Sequence, residues 1–520
     1  MTANESLEKA VGRLLIGRLP GKVLDEEFEP LLKDGTAGGI CIFKDNVASL
    51  NQLAELVEKV SNKSIFNPII CVDQEGGAVQ RFDDVLSPLP SLMALAATDN
   101  EQCAETAAVV NGKQLRALGI NCVLSPVIDV ASNPLNPIIG TRAFSSDPHT
   151  VARFAKAMLE AFMQEGVVPV IKHYPGHGDT GQDSHSELAV IDRSKQSVQE
   201  LELKPFSDCA HLAPALLAGH VWLTAYEEKA LPATLSSKLL NDVLRKELGF
   251  DGLIFTDDMM MKAITNRYGL EESALLAVEA GCDVLLLCSS AKELKRAHAH
   301  IVDAVRTGRL KEERITEANQ RIERLFPNAQ KQALEYKSRL TQLQGWLEDD
   351  NARISSIYQN AITLLQGDFQ NIAEEKVTVV VPNHPRYPLP LARFLQEQLK
   401  SSGIRPRIEE IRYSVNPDRD EIEQLSSQMK DKRVVLVTFR AGLNKGQMDL
   451  AKSLEKNASE LIGIAADIPY DCQAVSKETT YLCTFDPSDK AMQELAIMLV
   501  RGYAANGKCP VALETGAITG

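Results

Sequence analysis

The segment 172–185, which reads KHYPGHGDTGQDSH, concentrates ionisable side chains in a short stretch of chain. It contains three of the nine histidines, two aspartates, a lysine and three glycines. Glycine-rich backbone of this kind forms a mobile loop and buries little apolar surface. The apolar run 167–171 before it predicts a buried strand, and α/β barrels hold their reactive groups where such strands end. The segment is therefore the first candidate for chemistry.

Asp183 and His185 in this loop have a spacing that suits acid–base chemistry. Because they are two residues apart, their side chains lie on the same side of an extended backbone. A carboxylate that bonds an imidazole fixes its tautomer and raises its basicity, so His185 can serve as general acid and then as general base. Two alternatives remain, a polar surface loop without function and a zinc site built from His173, His177, Asp183 and His185. The absence of an H-E-x-x-H signature and the intervening glycines disfavour the metal.

Asp257 and Asp258 follow the apolar run 253–256, which predicts another strand. Successive strand residues point to opposite faces, so only one of the two carboxylates can face the end of a barrel. A carboxylate there can act as a nucleophile toward an electrophilic carbon. The alternative is a helix N-cap ahead of the three methionines 259–261. The residues alone leave both hypotheses open.

Further ionisable residues follow other predicted strands. Charged groups that gather at one rim of a barrel indicate a site, because an isolated charge at a strand end is often only solvated. His177 and His220 could each line the rim, but a structural histidine is the better interpretation of both, and core packing is the better interpretation of the methionines. In chain order the rim residues are Asp73, Glu75, Arg81, Arg142, Lys172, His173, His220, Asp257 and Asp258.

Short apolar runs alternate with amphipathic helical patterns through the first two thirds of the chain, which predicts an α/β fold. Eight strands within about 310 residues favour a TIM-like (β/α)8 barrel over an open sheet. We expect the barrel to span residues 1–330. The predicted strands are Gly12–Leu19, Gly38–Phe43, Pro68–Asp73, Asn121–Asp129, Val167–Lys172, Leu216–Trp222, Leu253–Asp257 and Asp283–Cys288.

After the barrel, the pattern predicts a helical linker over 331–374 and a smaller domain over 375–520. The strand–helix rhythm resumes there, which is typical of a doubly wound α/β sandwich. No glycine-rich phosphate-binding turn follows its first strand, so we do not expect it to bind a nucleotide. The predicted strands are Val377–Val381, Pro406–Arg412, Arg433–Phe439, Leu461–Ala466 and Thr480–Phe485.

Composition narrows the range of partners. The net charge of −14 and the lack of a dense Lys/Arg run argue against nucleic acid and anionic membranes as partners. The first residues lack the layout of a secretory signal peptide, and no apolar run approaches the roughly 18 residues of a membrane span, so we expect a cytoplasmic protein. The ten scattered cysteines fit buried reduced thiols better than disulfides or a metal cluster.

Five groups of residues along the chain resemble glycoside hydrolase family 3, and specifically its bacterial β-N-acetylglucosaminidase branch. The D-S-H ending of the 172–185 loop is highly specific for that branch. The later domain resembles the second domain of two-domain members, with a looser match. The segments are DQEGGAVQRF at 73–82, GTRAFSSDP at 140–148, KHYPGHGDTGQDSH at 172–185, LPATLSSKLL at 231–240 with ELGFDGLIFTDDMMM at 247–261, and AGCDVLLLC at 280–288.

The resemblance implies a role for each of these rim and loop residues. Asp257 matches the catalytic nucleophile, and Asp183 with His185 matches a dyad in which the imidazole replaces the usual acid/base carboxylate. The residues that match the family's binding site for the terminal sugar are Asp73, Arg81, Arg142, Lys172 and His173. The implied enzyme is an exo-acting, retaining β-N-acetylglucosaminidase that removes terminal non-reducing N-acetylglucosamine from muropeptides or chitooligosaccharides, with no metal or organic cofactor.

Three other activities are alternatives on the same scaffold. An imidazole carries no negative charge and repels phosphate less than a carboxylate would, so phosphorolysis remains open. A β-glucosidase of this family would take its acid/base carboxylate from elsewhere, commonly the second domain, and lack the D-S-H loop. A non-catalytic sugar-binding protein would be expected to have lost Asp257 or the dyad.

Overall fold

The fold is that of a computed structural model, which describes residues 3–181, 188–328, 336–369, 371–372 and 376–513. The strands are β1 (Leu15–Arg18), β2 (Gly39–Ile42), β3 (Ile69–Val72), β4 (Cys122–Val123), β5 (Val168–Tyr174), β6 (Ala189–Ile191), β7 (Ala215–Ala218), β8 (Val221–Leu223), β9 (Leu253–Thr256), β10 (Leu285–Leu286), β11 (Thr363–Gln366), β12 (Lys376–Pro382), β13 (Arg407–Tyr413), β14 (Arg433–Thr438), β15 (Glu460–Ala465) and β16 (Thr480–Cys483).

The α-helices are α1 (Ala3–Gly12), α2 (Glu29–Asp34), α3 (Leu50–Lys63), α4 (Leu92–Ala97), α5 (Glu101–Leu118), α6 (Pro148–Gln164), α7 (Lys195–Glu200), α8 (Lys204–Cys209), α9 (Lys262–Tyr268), α10 (Leu270–Ala280), α11 (Ala291–Arg306), α12 (Glu312–Leu325), α13 (Tyr336–Ala361), α14 (Leu391–Ser401), α15 (Arg419–Gln428), α16 (Lys445–Asn457) and α17 (Asp489–Arg501). A π-helix spans Lys238–Glu247 where the sequence predicts an ordinary helix. Within the described ranges, no helix is both long and apolar enough to cross a bilayer.

Eight parallel strands form the barrel, in the order β10-β1-β2-β3-β4-β5-β7-β9. The two ends of this sheet meet, because a parallel bridge joins Phe255 to Val284 and the Thr256 amide donates to the Val284 carbonyl oxygen at 2.9 Å. Most strand residues are buried and apolar, as expected when helices cover the outside and side chains fill the interior. The TIM-like barrel predicted from the alternating pattern is confirmed.

The sixth predicted strand, Leu216–Trp222, is two elements in the structure. Its first part belongs to β7 of the barrel, whereas Val221–Leu223 pairs with Ala189–Ile191 in a separate two-stranded sheet. Gly219 and His220 lie between the two parts. The apolar run is continuous in sequence because both pieces are buried, and periodicity alone does not show that the chain leaves the barrel.

The second sheet has six strands in the order β11-β16-β15-β14-β12-β13. All neighbours are parallel except β11, which pairs antiparallel with β16 at one edge. This edge strand lies in the segment for which the sequence predicts a helical linker, and it follows directly after the long helix α13. The helices α15 and α16 pack together on one face of the sheet, and α13, α14 and α17 cover the other.

The two domains share apolar core and polar contacts. Helix α13 packs against α4 and α5 of the barrel and against α17 of the second domain, so that one buried apolar cluster runs through all of them. At the interface, the Ser91 amide and hydroxyl bond to Asp486 Oδ2 at 2.9 Å and to the Phe485 carbonyl oxygen at 2.6 Å. The carboxyl ends of the second sheet's strands thereby face the carboxyl ends of the barrel strands.

Candidate active site

Four charged side chains form a buried cluster at the carboxyl ends of β3 and β5. Lys172 Nζ lies 2.7 Å from Asp73 Oδ1 and 2.6 Å from Glu75 Oε1. Arg142 donates two parallel hydrogen bonds to Glu75, from Nε to Oε2 and from Nη2 to Oε1, each 2.8 Å long. Arg81 extends the cluster outward, with its Nη2 3.1 Å from Asp73 Oδ2. Bidentate geometry of this kind fixes the guanidinium plane of Arg142.

Mutual attraction keeps the members of this cluster charged. Burial raises the pKa of Asp73, but the charges of Lys172 and Arg81 hold it well below its ordinary value. Burial likewise raises the pKa of Glu75, and Arg142 and Lys172 outweigh it and lower that pKa to about 2. Burial lowers the pKa of Lys172, and Asp73 with Glu75 more than offset it, so its pKa is raised. Fixed donors beside fixed acceptors suit sugar hydroxyls, which each donate and accept.

His173 is held by a buried carboxylate that the sequence did not single out, Asp129. His173 Nδ1 lies 2.7 Å from Asp129 Oδ2, and the backbone amides of His173 and His177 donate to Asp129 Oδ1 at 3.2 and 2.8 Å. Arg142 Nη2 is 3.3 Å from His173 Nε2. A guanidinium has only donors, so in the neutral ring the proton must be on Nδ1 and Nε2 must accept.

His177 packs edge-to-face against His173, with ring centroids 5.9 Å apart, and contacts Thr180. Its Nδ1 lies 2.7 Å from the Thr180 hydroxyl oxygen, and its side chain is buried. Burial and the neighbouring His173 lower the pKa of His177 to about 4. The ring is therefore neutral at physiological pH, in keeping with the structural role considered from the sequence.

Asp257 and Asp258 have different surroundings. Asp257 follows β9, and its Oδ1 accepts the backbone amide of Asp258 at 2.8 Å. Asp258 Oδ1 accepts the amides of Met260 at 3.0 Å and Cys288 at 3.1 Å, so Asp258 makes the turn-capping bond and ties the loop after β9 to the end of β10. Of the methionines, Met259 is fully buried and Met261 lines the cavity described below.

The pKa values of these two carboxyls move in opposite directions. Burial raises the pKa of Asp257. The charges of His220 and His173 and the hydrogen bond from the Asp258 amide lower that pKa by more than burial raises it, so the net shift is downward. Burial dominates at Asp258 and raises its pKa to about 6. Both ring nitrogens of His220 have partners, with Nε2 3.0 Å from the Asp258 carbonyl oxygen and Nδ1 2.9 Å from Thr234 Oγ1.

One cavity of about 600 Å³ is lined by the charge cluster, His173, His177, Asp257 and Asp258. The barrel contributes the charge cluster, His173, Asp257 and Asp258, and the second domain contributes the opposite wall. Three rings of that wall pack together, with centroids 4.5 Å apart for His384 and Phe439 and 5.1 Å for His384 and Tyr387. The second-domain residues that line the cavity are His384, Arg386, Tyr387, Phe439 and Arg440.

Asp183 and His185 lie outside the described residues, but both sides of their loop are described. Asp179, before it, pairs with Arg193, after it, through two bonds of 2.6 and 2.7 Å. At Gly178 the loop passes so close to the barrel that a Cβ would lie 1.6 Å from the Val130 carbonyl oxygen. Among the described residues, no three His, Cys, Asp or Glu side chains are arranged to hold a metal ion.

The structure brings together all five predicted sugar-binding residues and Asp257. It also gives a central place to Glu75, to which the sequence analysis assigned no role, and it adds Asp129, which the sequence analysis missed as a site residue. A signal for both was present: Glu75 is two residues after Asp73 and so on the same side of extended backbone, and Asp129 ends the fourth predicted strand.

Comparisons with known proteins identify the family of this chain. Residues 6–325 match the model of the glycosyl hydrolase family 3 N-terminal domain. The chain therefore belongs to glycosyl hydrolase family 3, as the motifs indicated. It is similar to a β-hexosaminidase of Stenotrophomonas maltophilia (strain R551-3), with 37% identity over 53% of this chain and 83% of the relative. It is also similar to β-hexosaminidase A of Pseudoalteromonas piscicida, with 26% identity over 86% of this chain and 74% of the relative.

Solved structures extend the likeness to both domains. A family 3 β-N-acetylglucosaminidase from Paenibacillus sp. str. FPU-7 is 31% identical, with a TM-score of 0.86 that covers 98% of this chain and 99% of that one. A β-glucoside phosphorylase shares the two-domain fold with a TM-score of 0.81 over 99% of this chain and 95% of that one, at 21% identity.

Proposed function

We propose that this chain is an exo-acting, retaining β-N-acetylglucosaminidase that removes terminal non-reducing N-acetylglucosamine from muropeptides or chitooligosaccharides. The observation that carries the proposal is the single cavity in which Asp257 faces the Asp73–Glu75–Arg142–Lys172 cluster. The Paenibacillus relative named as a β-N-acetylglucosaminidase supports the substrate class, since its similarity spans the whole fold.

The charge cluster is the binding site for the terminal sugar in this proposal. Lys172 and Glu75 are buried and line the cavity. A buried cluster that offers charged donors and acceptors suits a sugar ring with free hydroxyls. Asp73, Arg81, Arg142, Lys172 and His173 would bind the hydroxyls and ring substituents of that sugar.

Asp257 acts as the nucleophile. Its lowered pKa keeps the carboxylate ionised at neutral pH, as attack on an anomeric carbon requires. Attack forms a glycosyl–aspartate bond as the glycosidic bond breaks, and protonated His185 donates its proton to the leaving oxygen. The neutral imidazole then takes a proton from water, whose oxygen attacks the anomeric carbon and releases Asp257. Asp183 orients His185, and both of these roles rest on the family motif.

Phosphorolysis is the second candidate, because a cation of the second domain lines the cavity. Arg386 reaches the cavity, and a phosphate in place of water would be attracted by its charge. The product would then be N-acetylglucosamine 1-phosphate instead of the free sugar.

The test measures turnover of p-nitrophenyl β-N-acetylglucosaminide and p-nitrophenyl β-glucoside by the wild-type protein, with and without phosphate. Turnover of the first substrate to the free sugar of retained configuration supports the proposal. The sugar 1-phosphate as main product would replace it with the second candidate. Preference for the plain glucoside, or no turnover of either, would contradict both.

A further inference from the structure

The loop that carries Arg142 is attached to the second domain along its length. It leaves the barrel after β4 and contains the short 3₁₀ turn Gly140–Arg142. Beyond the turn, the Ser145 hydroxyl donates to the Pro510 carbonyl oxygen, and the Ala512 amide donates to Ser146 Oγ at 3.2 Å. Residues near the end of the described chain therefore hold the far side of this loop.

A buried ion pair of the second domain holds the near side. Arg440 follows β14 and Asp467 follows β15, and Arg440 Nε bonds to Asp467 Oδ2. From this pair, Arg440 Nη1 donates to the Pro137 carbonyl oxygen at 2.8 Å. Asp467 Oδ1 accepts the hydroxyl of Thr141, the residue before Arg142, at 2.7 Å. Two cross-domain bonds from one ion pair thus hold this segment, one before the turn at Pro137 and one within the turn at Thr141.

The packing around this pair leaves little freedom. A Cβ at Gly140, whose φ is +46°, would lie 2.7 Å from Arg440 Nη2. Arg440 itself has a φ of 49°, a left-handed conformation that is unusual for a large side chain and is kept only where surrounding contacts determine it. The Ala441 amide provides one such contact by donating to the buried Asp471 Oδ1 at 2.8 Å.

We propose that the Arg440–Asp467 pair positions Arg142 for binding of the terminal sugar. The second domain thereby supports a sugar-binding site whose binding side chains all belong to the barrel. The inference rests on the proposed function, because it assigns Arg142 to that sugar. Thr141 is fixed by Asp467, Arg142 is adjacent to it, and the guanidinium then meets Glu75 in the bidentate bond. Neither Arg440 nor Asp467 is required to touch the reacting atoms.

The experiment compares Asp467→Asn and Thr141→Val with the wild type. Asp467→Asn removes the carboxylate charge that pairs with Arg440, and Thr141→Val removes the hydroxyl that bonds to Asp467 while keeping an isosteric side chain. We expect kcat/KM for p-nitrophenyl and methyl β-N-acetylglucosaminides to fall by the same factor, about tenfold, the usual effect of losing one buried bond to a charged group. Competitive inhibition by free N-acetylglucosamine should weaken by a similar factor.

The matched control is Arg433→Gln. Arg433 and Glu460 form an ion pair on the same two strands, with Nε 2.8 Å from Oε2, but at the opposite end of β14 and β15. This variant should lower thermal stability without changing the inhibition constant of N-acetylglucosamine. A double-mutant cycle introduces Asp467→Asn into the Arg142→Lys variant. In that background, Asp467→Asn should lower kcat/KM by less than about threefold, because the effects of coupled residues are not additive.

Several outcomes would overturn the inference. They are an unchanged inhibition constant in Thr141→Val, an equal cost of Asp467→Asn in both backgrounds, or an equal weakening in the Arg433→Gln control. A wild-type protein that neither cleaves the substrates nor binds N-acetylglucosamine would refute the proposed function as well, whereas an active wild type with an unaffected Thr141→Val refutes the positioning role alone.

Discussion

At the residue scale, two adjacent carboxylates differ in what they bond. Both line the cavity, but Asp257 Oδ1 accepts one backbone amide, that of Asp258, whereas Asp258 Oδ1 accepts two, from the loops after β9 and β10. An asparagine at 258 still presents an oxygen to those amides, but an asparagine at 257 has no nucleophilic carboxylate. The pair therefore offers a test in which side-chain size and position are nearly matched.

We expect Asp257→Asn to lower kcat for p-nitrophenyl β-N-acetylglucosaminide by at least about a thousandfold, as loss of a covalent nucleophile does elsewhere. Asp258→Asn should cost no more than about tenfold, since it removes a charge but keeps the acceptor. Steady-state kinetics on both variants decide this, with near-UV circular dichroism to verify folding. Equal losses would contradict the assignment of Asp257 as nucleophile.

A second residue-scale prediction concerns Glu202, which is buried near the loop of Asp179 and Gly176. Burial raises the pKa of Glu202 to about 7, although Arg193 lies 3.5 Å away. The folded protein therefore binds this proton more tightly than the unfolded chain, so Glu202 lowers the free energy of unfolding progressively as pH rises from about 4.5 to about 7.

Glu202→Gln removes this ionisation. The difference in free energy of unfolding between the variant and the wild type should be more favourable to the variant at pH 8 than at pH 4.5, by about 2 kcal/mol. This is somewhat less than the full free energy that corresponds to the pKa shift. Urea denaturation at the two pH values measures the difference. A variant whose relative stability is the same at both would show that Glu202 is not held protonated.

At the element scale, the loop after β5 lies against the barrel at Gly178 and has open space beside it at Gly181. A Cβ at Gly178 would collide with backbone, whereas a Cβ at Gly181 would meet nothing within 4 Å. Both glycines precede the segment that carries Asp183 and His185, so they form a matched pair of loop positions.

Gly178→Ala should shift the loop and lower the free energy of unfolding by roughly 1–3 kcal/mol through overpacking. It should reduce activity most on substrates with poor leaving groups, because their departure depends on the general acid. Gly181→Ala should leave both properties near wild type. Thermal unfolding and kcat/KM across aryl leaving groups of different pKa test the pair. A harmless Gly178→Ala would mean that this close approach does not set the loop.

The sequence predicted most barrel elements closely but not every boundary. Strands such as β2, β3 and β9 coincide with predicted runs to within about a residue or two, because a short buried run bounded by polar residues is a local signal. The division of 216–222 between β7 and β8 was not predictable in this way. It depends on where the chain turns out of the barrel at Gly219, which tertiary pairing decides.

At the scale of the whole molecule, the edge of the second sheet where α/β proteins commonly bind ligands faces the barrel instead of open solvent. His384 and Tyr387 follow β12, and Phe439 follows β14, so the rings come from the carboxyl ends of two neighbouring strands. They lie across the cavity from the charge cluster. An aromatic wall in that place would pack against the apolar face of a leaving-group sugar.

We expect Tyr387→Leu to lower kcat/KM for N,N′-diacetylchitobiose by about threefold to tenfold, the usual worth of an aromatic contact. Methyl β-N-acetylglucosaminide has no leaving-group sugar, so Tyr387→Leu should hydrolyse it with the same kcat/KM as the wild type. The ratio of the two specificity constants is the measurement. Equal effects on both substrates would remove the ring from the leaving-group side.

The amino-acid sequence by itself determined the α/β class, the barrel, and the gathering of Asp73, Lys172, His173 and Asp257 at one rim. These follow from hydrophobic runs, their alternation with helices and the rule that parallel strands end at one edge, all of which are readable from local pattern. The family motifs added a predicted chemical role for each residue.

Only the tertiary structure decided which partners these residues meet. Arg142 bonds Glu75 across 67 positions of sequence, and Thr141 bonds Asp467 across 326. Such pairs depend on the register of the strands and on the packing of one domain against the other. Both are set by burial summed over many distant side chains, and neither leaves a trace in the periodicity of any single segment.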